Sequence, residues 1–463
     1  MMNSKIYHTR SETIAAISTP QAPGGIGVVR ISGPDARAVA GRVFSSRSGK
    51  TLDGIRGYTA LYGKVHDGGS IVDEAIALNF RAPASYTGED VVELSCHGGL
   101  YVMRRVLQAV LAAGAAPAAP GEFTRRAFLN GKLGLTEAES VMQLVSAQGE
   151  QAARAALAGH EGVLAKRIGT IREKLLSAAA HLDAWADYPE DDVPQVTAPE
   201  LEKSLSSVRN ELALLLRQFD AGRALREGVD TVIAGRPNAG KSTLMNLLAG
   251  CERSIVTRYA GTTRDVVEDT VLLGGIPLRL ADTAGIRQAE DPVEKLGVER
   301  AFARVRSAQL VLAVFDSSQE LSEEDRQLTE EVHGASCVAV INKSDLPEKI
   351  DKEYIRSNYK HIVSISALNG NGLPELTRAV GEVLKTAELN PAEGILFTER
   401  QRDAANRAEK SVDEALSALR SGMTLDAVTV SVEDAVSALL ELTGERTTNA
   451  VVDSVFSRFC VGK

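Results

Sequence analysis

The chain has 463 residues, a length that allows about three domains. Its residues are 44% hydrophobic and 24% charged, which is typical of a globular protein and not of a disordered one. No apolar run approaches the roughly 20 residues that span a bilayer, and the N-terminal residues lack the apolar core of a secretory signal. We therefore expect a cytoplasmic protein that does not enter a membrane. Four widely spaced cysteines argue against a disulfide framework or a zinc ribbon, and the net charge of −9 requires a local basic face or a partner for any nucleic-acid contact.

The predicted elements begin with an α+β pattern over residues 1–131. Strand-like runs (TIAAIST, GIGVVRIS, DEAIALNF, DVVELSCHG) are separated by Gly and Pro, with one helix-like stretch, YVMRRVLQAVLAAG. From 132 to 226 the pattern is helical, and apolar residues spaced by three and four predict one buried stripe. The stripe consists of Leu201, Leu205, Val208, Leu212, Leu215 and Phe219. The acidic DYPEDDVP (187–194) is interpreted as a solvated turn.

Residues 227–386 alternate between strands and helices. The strands DTVIAG, IPLRLAD, QLVLAVFD, CVAVINKSD and HIVSISA are mostly apolar throughout, which predicts a largely parallel sheet covered on both faces. From 387 to 463 the pattern is helical again, with a Thr-Gly break at 443–444. The sequence therefore predicts one helical domain, split in sequence, into which the α/β domain is inserted.

The octapeptide GRPNAGKS (235–242) follows a strand, precedes a helix and matches the phosphate loop of nucleotide-binding proteins. Its glycines allow backbone N–H groups to face phosphate oxygens. In such a loop Lys241 reaches the β- and γ-phosphates and Ser242 ligates magnesium. The predicted phosphate contacts come from Asn238, Ala239, Gly240, Lys241, Ser242 and Thr243.

Three further motifs identify the nucleotide as GTP. In DTAG (282–285), Asp282 can hold magnesium through water and the Gly285 N–H can meet the γ-phosphate. In NKSD (342–345), the Asp345 carboxylate can accept two hydrogen bonds from guanine N1–H and the 2-amino group, a pair of donors that adenine lacks. In SAL (366–368), a backbone N–H suits guanine O6. The predicted base-side contacts are Asn342, Lys343, Asp345, Ser366 and Ala367.

Together, GRPNAGKSTLMN, IVTRYAGTTRD, DTAGIR, the N-terminal GGIGVVRISG and PGEFTRRAFLNGKL, and the terminal FCVGK resemble the MnmE (TrmE) family of tRNA-modification GTPases over nearly the whole chain. The resemblance implies a multi-domain α+β and α/β protein with a discontinuous helical domain and an inserted Ras-like P-loop G domain. The implied domains are a folate-binding and dimerisation domain (1–131), the first helical part (132–226), the G domain (227–386) and the second helical part (387–463).

The resemblance also implies how GTP is cut. Ras-like enzymes use a Gln directly after the DTAG-type motif, but this position is Ile286, which cannot orient water. The family instead binds potassium, here through Asn238, the carbonyls of Thr257 and Tyr259, and Thr262, while Thr263 ligates magnesium with Ser242. The remaining residues that the resemblance implies to contact GTP are Arg258, Ala260, Gly261, Thr283 and Ala284. The catalytic glutamate falls on Glu294. A turn-forming role for Asn238 and an ordinary helix-start role for Glu294 are the alternatives.

The N-terminal domain of the family binds a folate that carries a one-carbon unit, 5,10-methylene- or 5-formyl-tetrahydrofolate. The implied contacts are Arg30, Glu93, Lys132 and Lys463. Surface ion pairs and a frayed tail are the alternatives for these residues. FCVGK does not fit a prenylation signal; the resemblance makes Cys460 a nucleophile or the holder of an intermediate.

The implied partners are a second copy of the chain, the flavoprotein MnmG (GidA) in a heterotetramer or larger complex, and tRNA. The chain shows no G-x-G-x-x-G dinucleotide motif, so flavin and NADH would belong to the partner. The implied reaction places an aminomethyl or carboxymethylaminomethyl group at C5 of the wobble uridine. Two alternatives remain: a regulatory GTPase like the Era and Der families, and a scaffold whose GTP site controls dimerisation alone.

Overall fold

The computed structural model describes residues 12–187, 198–250, 269–280, 304–387 and 389–463. No helix within these ranges is long and apolar enough to cross a membrane. The described strands are β1 (Ile14–Ile17), β2 (Ile26–Ser32), β3 (Phe44–Ser46), β4 (Thr59–Asp67), β5 (Ser70–Phe80), β6 (Val91–His97), β7 (Ala116–Pro117), β8 (Val229–Ala234), β9 (Asp269–Leu273), β10 (Ile276–Leu280), β11 (Leu310–Asp316), β12 (Cys337–Asn342) and β13 (Ile362–Ser364).

The described helices complete the element order. They are α1 (Ala36–Val43), α2 (Leu100–Ala112), α3 (Glu122–Leu129), α4 (Leu135–Ser146), α5 (Glu150–His160), α6 (Val163–Asp187), α7 (Ala198–Glu227), α8 (Lys241–Gly250), α9 (Glu323–Glu331), α10 (Lys352–Asn358), α11 (Leu373–Val383), α12 (Glu399–Arg420), α13 (Leu425–Thr443) and α14 (Asn449–Phe456). A 3₁₀ helix (Pro391–Glu393) precedes α12.

The chain divides into two compact units. The first contains the residues up to Met142 together with Leu440–Lys463, and the second runs from Gln143 to Leu439. The two ends of the chain therefore belong to the same unit. The four domain boundaries that the sequence suggests stay a prediction.

The first unit is built on a seven-stranded sheet in the order β3-β4-β5-β6-β2-β1-β7. Its strands pair antiparallel except for the parallel pair β1–β7. Successive side chains of a strand point to opposite faces. Val29 and Ile31 therefore enter the core formed with α1 and α2, whereas Arg30 between them points to the other face.

The second unit contains a six-stranded sheet in the order β13-β12-β11-β8-β10-β9. The pairs are parallel except for the β9–β10 hairpin. Every residue of β11 is buried, as expected for a strand that is covered on both faces. This confirms the predicted α/β sheet and places the loop after β8 at the carboxyl edge, where ligands bind in such folds.

Helices on either side of this α/β region in sequence pack against each other, α7 against α12. The guanidinium of Arg402 lies 5.1 Å from the centre of the Phe219 ring. Arg420 Nε donates a hydrogen bond to Glu202 Oε1 at 2.7 Å. All six residues of the predicted stripe on α7 are at most 3% exposed. The prediction of a helical region interrupted by the α/β domain is confirmed.

The prediction of a single helix within residues 1–131 was wrong, since α1 and α3 also lie there. Each has eight residues, which gives just two turns and too short a window for the 3.6-residue pattern to stand out. The turn predicted in DYPEDDVP lies beyond Asp187, outside the described residues.

Candidate functional site

The predicted phosphate loop connects β8 to α8 and packs tightly against the sheet. A Cβ atom on Gly235 would lie 2.4 Å from the Val314 carbonyl oxygen, and one on Gly240 would lie 2.1 Å from Asn342 Nδ2. Gly240 has a φ of +95° and Asn238 a φ of +63°, a left-handed conformation that Asn adopts more readily than most residues. The motif's glycines are thus required by close approach within the chain itself.

Lys241 begins α8 and folds its side chain back over the loop. Its Nζ donates to the carbonyl oxygens of Gly235, at 2.7 Å, and Arg236, at 2.8 Å. Burial lowers the pKa of the Lys241 ammonium, and the charge of Glu324 partly opposes this. Ser242 is exposed in the first turn of the helix and Thr243 is half-buried. The loop therefore presents a cation and a hydroxyl at a helix N-terminus, where phosphate groups bind.

One buried amide at the end of β12 connects the phosphate loop to the segment that contains Ala367. Asn342 Nδ2 donates to the Ala239 carbonyl oxygen at 3.0 Å, and Asn342 Oδ1 accepts from the Ala367 backbone N–H at 3.0 Å. The Ser366 hydroxyl donates to Asp345 Oδ1 at 2.5 Å, while Asp345 itself is exposed. The structure thus brings together the residues that the sequence assigned to phosphate and to guanine.

Lys343 has a partner that the sequence reasoning missed. Its Nζ lies 2.6 Å from Asp316 Oδ2, and the Lys343 carbonyl accepts from the Ser317 hydroxyl at 2.8 Å. Burial alone would raise the pKa of Asp316, but hydrogen bonds from Lys343 and Ser318 outweigh burial and lower this pKa. Asp316 ends β11 beside Asn342 at the end of β12. Adjacent strands of a parallel sheet end at the same edge. The predicted ends of β11 and β12 could therefore have indicated the Lys343–Asp316 pair from sequence.

The remaining predicted GTP and cation contacts lie outside the described residues. They are Thr257, Arg258, Tyr259, Ala260, Gly261, Thr262, Thr263, Asp282, Thr283, Ala284 and Gly285, with the predicted catalytic Glu294.

A second cluster lies in the first unit, on the sheet face opposite α1 and α2. Arg30 on β2 pairs in register with Glu93 on β6, and Arg30 Nε lies 2.8 Å from Glu93 Oε1. The guanidinium carbon is 5.3 Å from the centre of the Tyr86 ring and 5.5 Å from that of Phe123. Burial raises the pKa of Tyr86, against the lowering effects of the Thr124 hydrogen bond and the Arg30 charge. Arg30 is thus fixed by one carboxylate and two rings.

The loop of residues 81–90 links this cluster to Lys132. Tyr86 of the loop contacts Arg30, and Lys132 Nζ donates to the Pro83 carbonyl oxygen at 3.1 Å. The loop is anchored by Arg126, which is 2% exposed and pairs with both Glu89, at 3.1 Å, and Glu122, at 3.2 Å. Neither the rings nor this buried ion cluster was singled out from sequence. Tyr86 and Glu89 lie in a loop without a periodic pattern, and the other members lie on α3, which has just two turns.

The C-terminal segment also belongs to this cluster. Phe456 and Phe459 are buried with Leu135, Ala138 and Val452. The Gly121 N–H donates to the Cys460 carbonyl at 3.3 Å, and the Phe123 N–H donates to the Lys463 carbonyl at 3.2 Å. Arg30 Nη1 donates to the Gly462 carbonyl at 3.4 Å. Arg30 is thus paired with Glu93 and contacts the backbone of the segment that contains Cys460 and Lys463, while Lys132 contacts the loop that carries Tyr86.

Two protein-family models together match nearly the whole chain. A family model described as the MnmE helical domain matches residues 135–460, and one described as the N-terminus of the GTP-binding protein TrmE matches residues 13–132. The chain is 45% identical over 456 residues to the tRNA modification GTPase MnmE of Symbiobacterium thermophilum, covering 98% of this chain and 99% of that protein. It is 42% identical over 462 residues to the MnmE of Geobacillus thermodenitrificans, covering 98% and 100%.

Among solved structures, Aquifex aeolicus Era bound to GDP and aluminium fluoride is 28% identical to this chain. The likeness covers 40% of this chain and 66% of that one, with a TM-score of 0.26.

Proposed function

The chain belongs to the MnmE family of tRNA modification GTPases, and on that premise we propose that it acts with the flavoprotein MnmG on the wobble uridine of tRNA. In this proposal the pair adds an aminomethyl or carboxymethylaminomethyl group at C5, using a one-carbon unit from tetrahydrofolate. Potassium-dependent GTP hydrolysis drives G-domain dimerisation and a conformational change. The observation that carries the proposal is the convergence of Arg30, Glu93 and the Cys460 segment in one unit.

As a member of this family the protein binds GTP and hydrolyses it to GDP and phosphate. We assign recognition of the guanine edge to Asp345, whose carboxylate accepts two donors, and assign the β- and γ-phosphates to Lys241. Asn342 keeps the two regions in register because its amide is bonded to both. Magnesium fits the hydroxyl oxygen of Ser242, exposed at the start of α8, and we assign Thr263 as its second protein ligand.

We further assign potassium to the amide oxygen of Asn238, the carbonyls of Thr257 and Tyr259, and Thr262. Asn238 fits this role because the residue is exposed and lies on a loop whose glycines Gly235 and Gly240 are in close contact with the sheet. A monovalent cation held there supplies positive charge where the transferred phosphoryl group develops negative charge. Glu294 orients the attacking water in place of the Gln that Ras-like enzymes use.

The Arg30 cluster has the chemistry of a folate site. A carboxylate such as Glu93 can pair with the amino edge of a pterin, and Lys132 and Lys463 can pair with the carboxylates of the glutamate tail. The Tyr86 and Phe123 rings supply flat apolar surface. When bound, 5,10-methylene- or 5-formyl-tetrahydrofolate would supply the one-carbon unit, and Cys460 would act as a nucleophile or hold an intermediate.

We propose a homodimer that assembles with MnmG into a heterotetramer or larger complex in the cytoplasm. The net charge of −9 supports a partner that carries much of the basic surface for tRNA. A regulatory GTPase resembling Era or Der would need neither a folate site nor a fixed tail, and is the alternative.

Equilibrium dialysis of the full-length protein against 5-formyl-tetrahydrofolate tests the folate site. We expect saturable binding, weakened about tenfold or more in Glu93→Gln, because a hydrogen bond to a charged group contributes about 1.5–3 kcal/mol. Asp67→Asn is the matched control, since Asp67 ends β4 of the same sheet and also pairs with an arginine, Arg105 of α2, away from the cluster. Absence of binding to the wild-type protein would favour the regulatory alternative.

A further inference from the structure

The seven residues after α14 are held against the first unit by their backbone. Besides the two hydrogen bonds from Gly121 and Phe123, the segment closes on itself through Lys463 N–H and the Cys460 carbonyl, at 3.4 Å. The chain passes close enough to Gly121 that a Cβ there would lie 2.5 Å from the Phe456 carbonyl oxygen. The C-terminal segment is therefore packed closely against the start of α3.

Gly462 is the tightest point of this segment. Its φ is +97°, and a Cβ atom on it would lie 2.3 Å from the Ile17 carbonyl oxygen and 2.9 Å from Ser18 Cα. Both neighbours are backbone atoms at the end of β1, which cannot move aside cheaply. Glycine at this position is therefore a requirement for docking the segment.

The Gly462 carbonyl faces a side chain that is already immobilised. Arg30 Nε donates to Glu93, the guanidinium carbon lies within 5.5 Å of the centres of the Tyr86 and Phe123 rings, and the side chain is 16% exposed. Its Nη1 is thereby presented to the Gly462 carbonyl at 3.4 Å. A rigid planar donor of this kind loses little rotamer freedom when it makes a further hydrogen bond.

We propose that Arg30 is a positioning residue for the C-terminal segment, which it tethers through Gly462 so that Cys460 stays docked. Glu93 and the two rings fix the orientation of the guanidinium, which donates a hydrogen bond to the carbonyl of Gly462, two residues after Cys460. This role concerns the chain's own residues, is separate from any contact of Arg30 with folate, and holds whether or not a folate binds.

The test is the alkylation rate of Cys460 in the full-length protein with N-ethylmaleimide, resolved by mass spectrometry of cysteine peptides. Trypsin cleavage after Arg458 isolates FCVGK. We expect about tenfold faster labelling in Arg30→Gln, a smaller increase in Arg30→Lys, and labelling at least as fast as in Arg30→Gln in Gly462→Ala. Loss of a positive charge disfavours a thiolate and slows alkylation, so faster labelling cannot come from the charge change itself.

Two kinds of control separate tethering from unfolding. Val461→Ala changes an exposed side chain in the same segment and should label at the wild-type rate. Cys96 is buried, and burial, with a smaller contribution from Asp73, raises the pKa of its thiol to about 12. Its peptide should stay unlabelled in every folded variant.

A shared tether also predicts how the substitutions combine. The double variant Arg30→Gln/Gly462→Ala should label no faster than Gly462→Ala, because both changes release one contact. If the rate increases of the two single variants multiply in the double variant, Arg30 acts through a contact other than the one with Gly462. A wild-type Cys460 rate in Arg30→Gln with Cys96 protected would overturn the proposal. If Arg30→Gln exposes Cys96, a wild-type rate in Arg30→Lys overturns it instead. These outcomes are independent of folate dialysis, so failure here leaves the proposed function standing.

Discussion

Single residues hold the nucleotide site together by bonds within the chain. The sequence identified Asn342 as a base-side residue, but the structure shows its amide bridging Ala239 and Ala367. A motif states which residue types a site needs, whereas their mutual bonds depend on how distant loops meet. The structure brings the phosphate loop, Asn342 and Ala367 together as the motifs predict, and their contacts with GTP stay a prediction. The Lys343–Asp316 pair was not predicted.

Asn238 gives the sharpest prediction at the residue scale. If its amide oxygen binds potassium, Asn238→Ala should lose potassium-stimulated GTP hydrolysis, while the wild-type protein turns over faster in potassium than in sodium. Because Asn238 has a φ of +63°, alanine also strains the backbone. Asn238→Gly removes the amide without that strain and is the matched variant.

Steady-state phosphate release in each salt measures the effect. Both variants should hydrolyse GTP at one slow rate in the two salts, with GDP affinity retained in Asn238→Gly. Normal potassium stimulation in Asn238→Gly would show that this position needs just a left-handed turn and binds no cation. Equal turnover of the wild-type protein in sodium and potassium would remove potassium from the mechanism.

At the scale of elements, the long regular segments were predictable and the short ones were not. The stripe on α7 was readable because one face is buried over many turns, so the spacing repeats. The helices α1 and α3 give no such repeat. The order of the N-terminal sheet, with β1 between β2 and β7, depends on pairing between distant residues, which no local sequence pattern specifies.

Two leucines on α7 test the buried stripe. Leu212 is fully buried, whereas Leu214 is 39% exposed. Leu212→Ala should destabilise the second unit by about 2–5 kcal/mol, because it removes packed methyl groups and leaves a cavity. Leu214→Ala should change stability by less than about 1 kcal/mol. The midpoint of thermal unfolding measures both, and equal shifts would contradict the assignment of the buried face.

At the scale of the whole molecule, the chain brings together segments that are far apart in sequence. The packing of α7 against α12 agrees with the single split helical domain that the return of a helical pattern after residue 387 predicts. The place of the last residues beside Arg30 was expected from the family resemblance alone, since five residues carry no pattern of their own. The ring of Tyr86 was missed because it lies in a loop, and that of Phe123 because α3 has just two turns.

We propose that this GTPase, through its C-terminal cysteine, takes part in the modification of the wobble uridine. The most direct measurement is nucleoside analysis of tRNA from a strain lacking the protein, supplied with wild-type, Cys460→Ser or Cys337→Ser protein. Cys337 is a matched control, a half-buried free cysteine of the second unit whose thiol pKa burial raises to about 12. We predict that C5-modified wobble uridines disappear in the deletion strain and return with wild-type and Cys337→Ser protein but not with Cys460→Ser. Unchanged wobble uridines in the deletion strain would contradict the account.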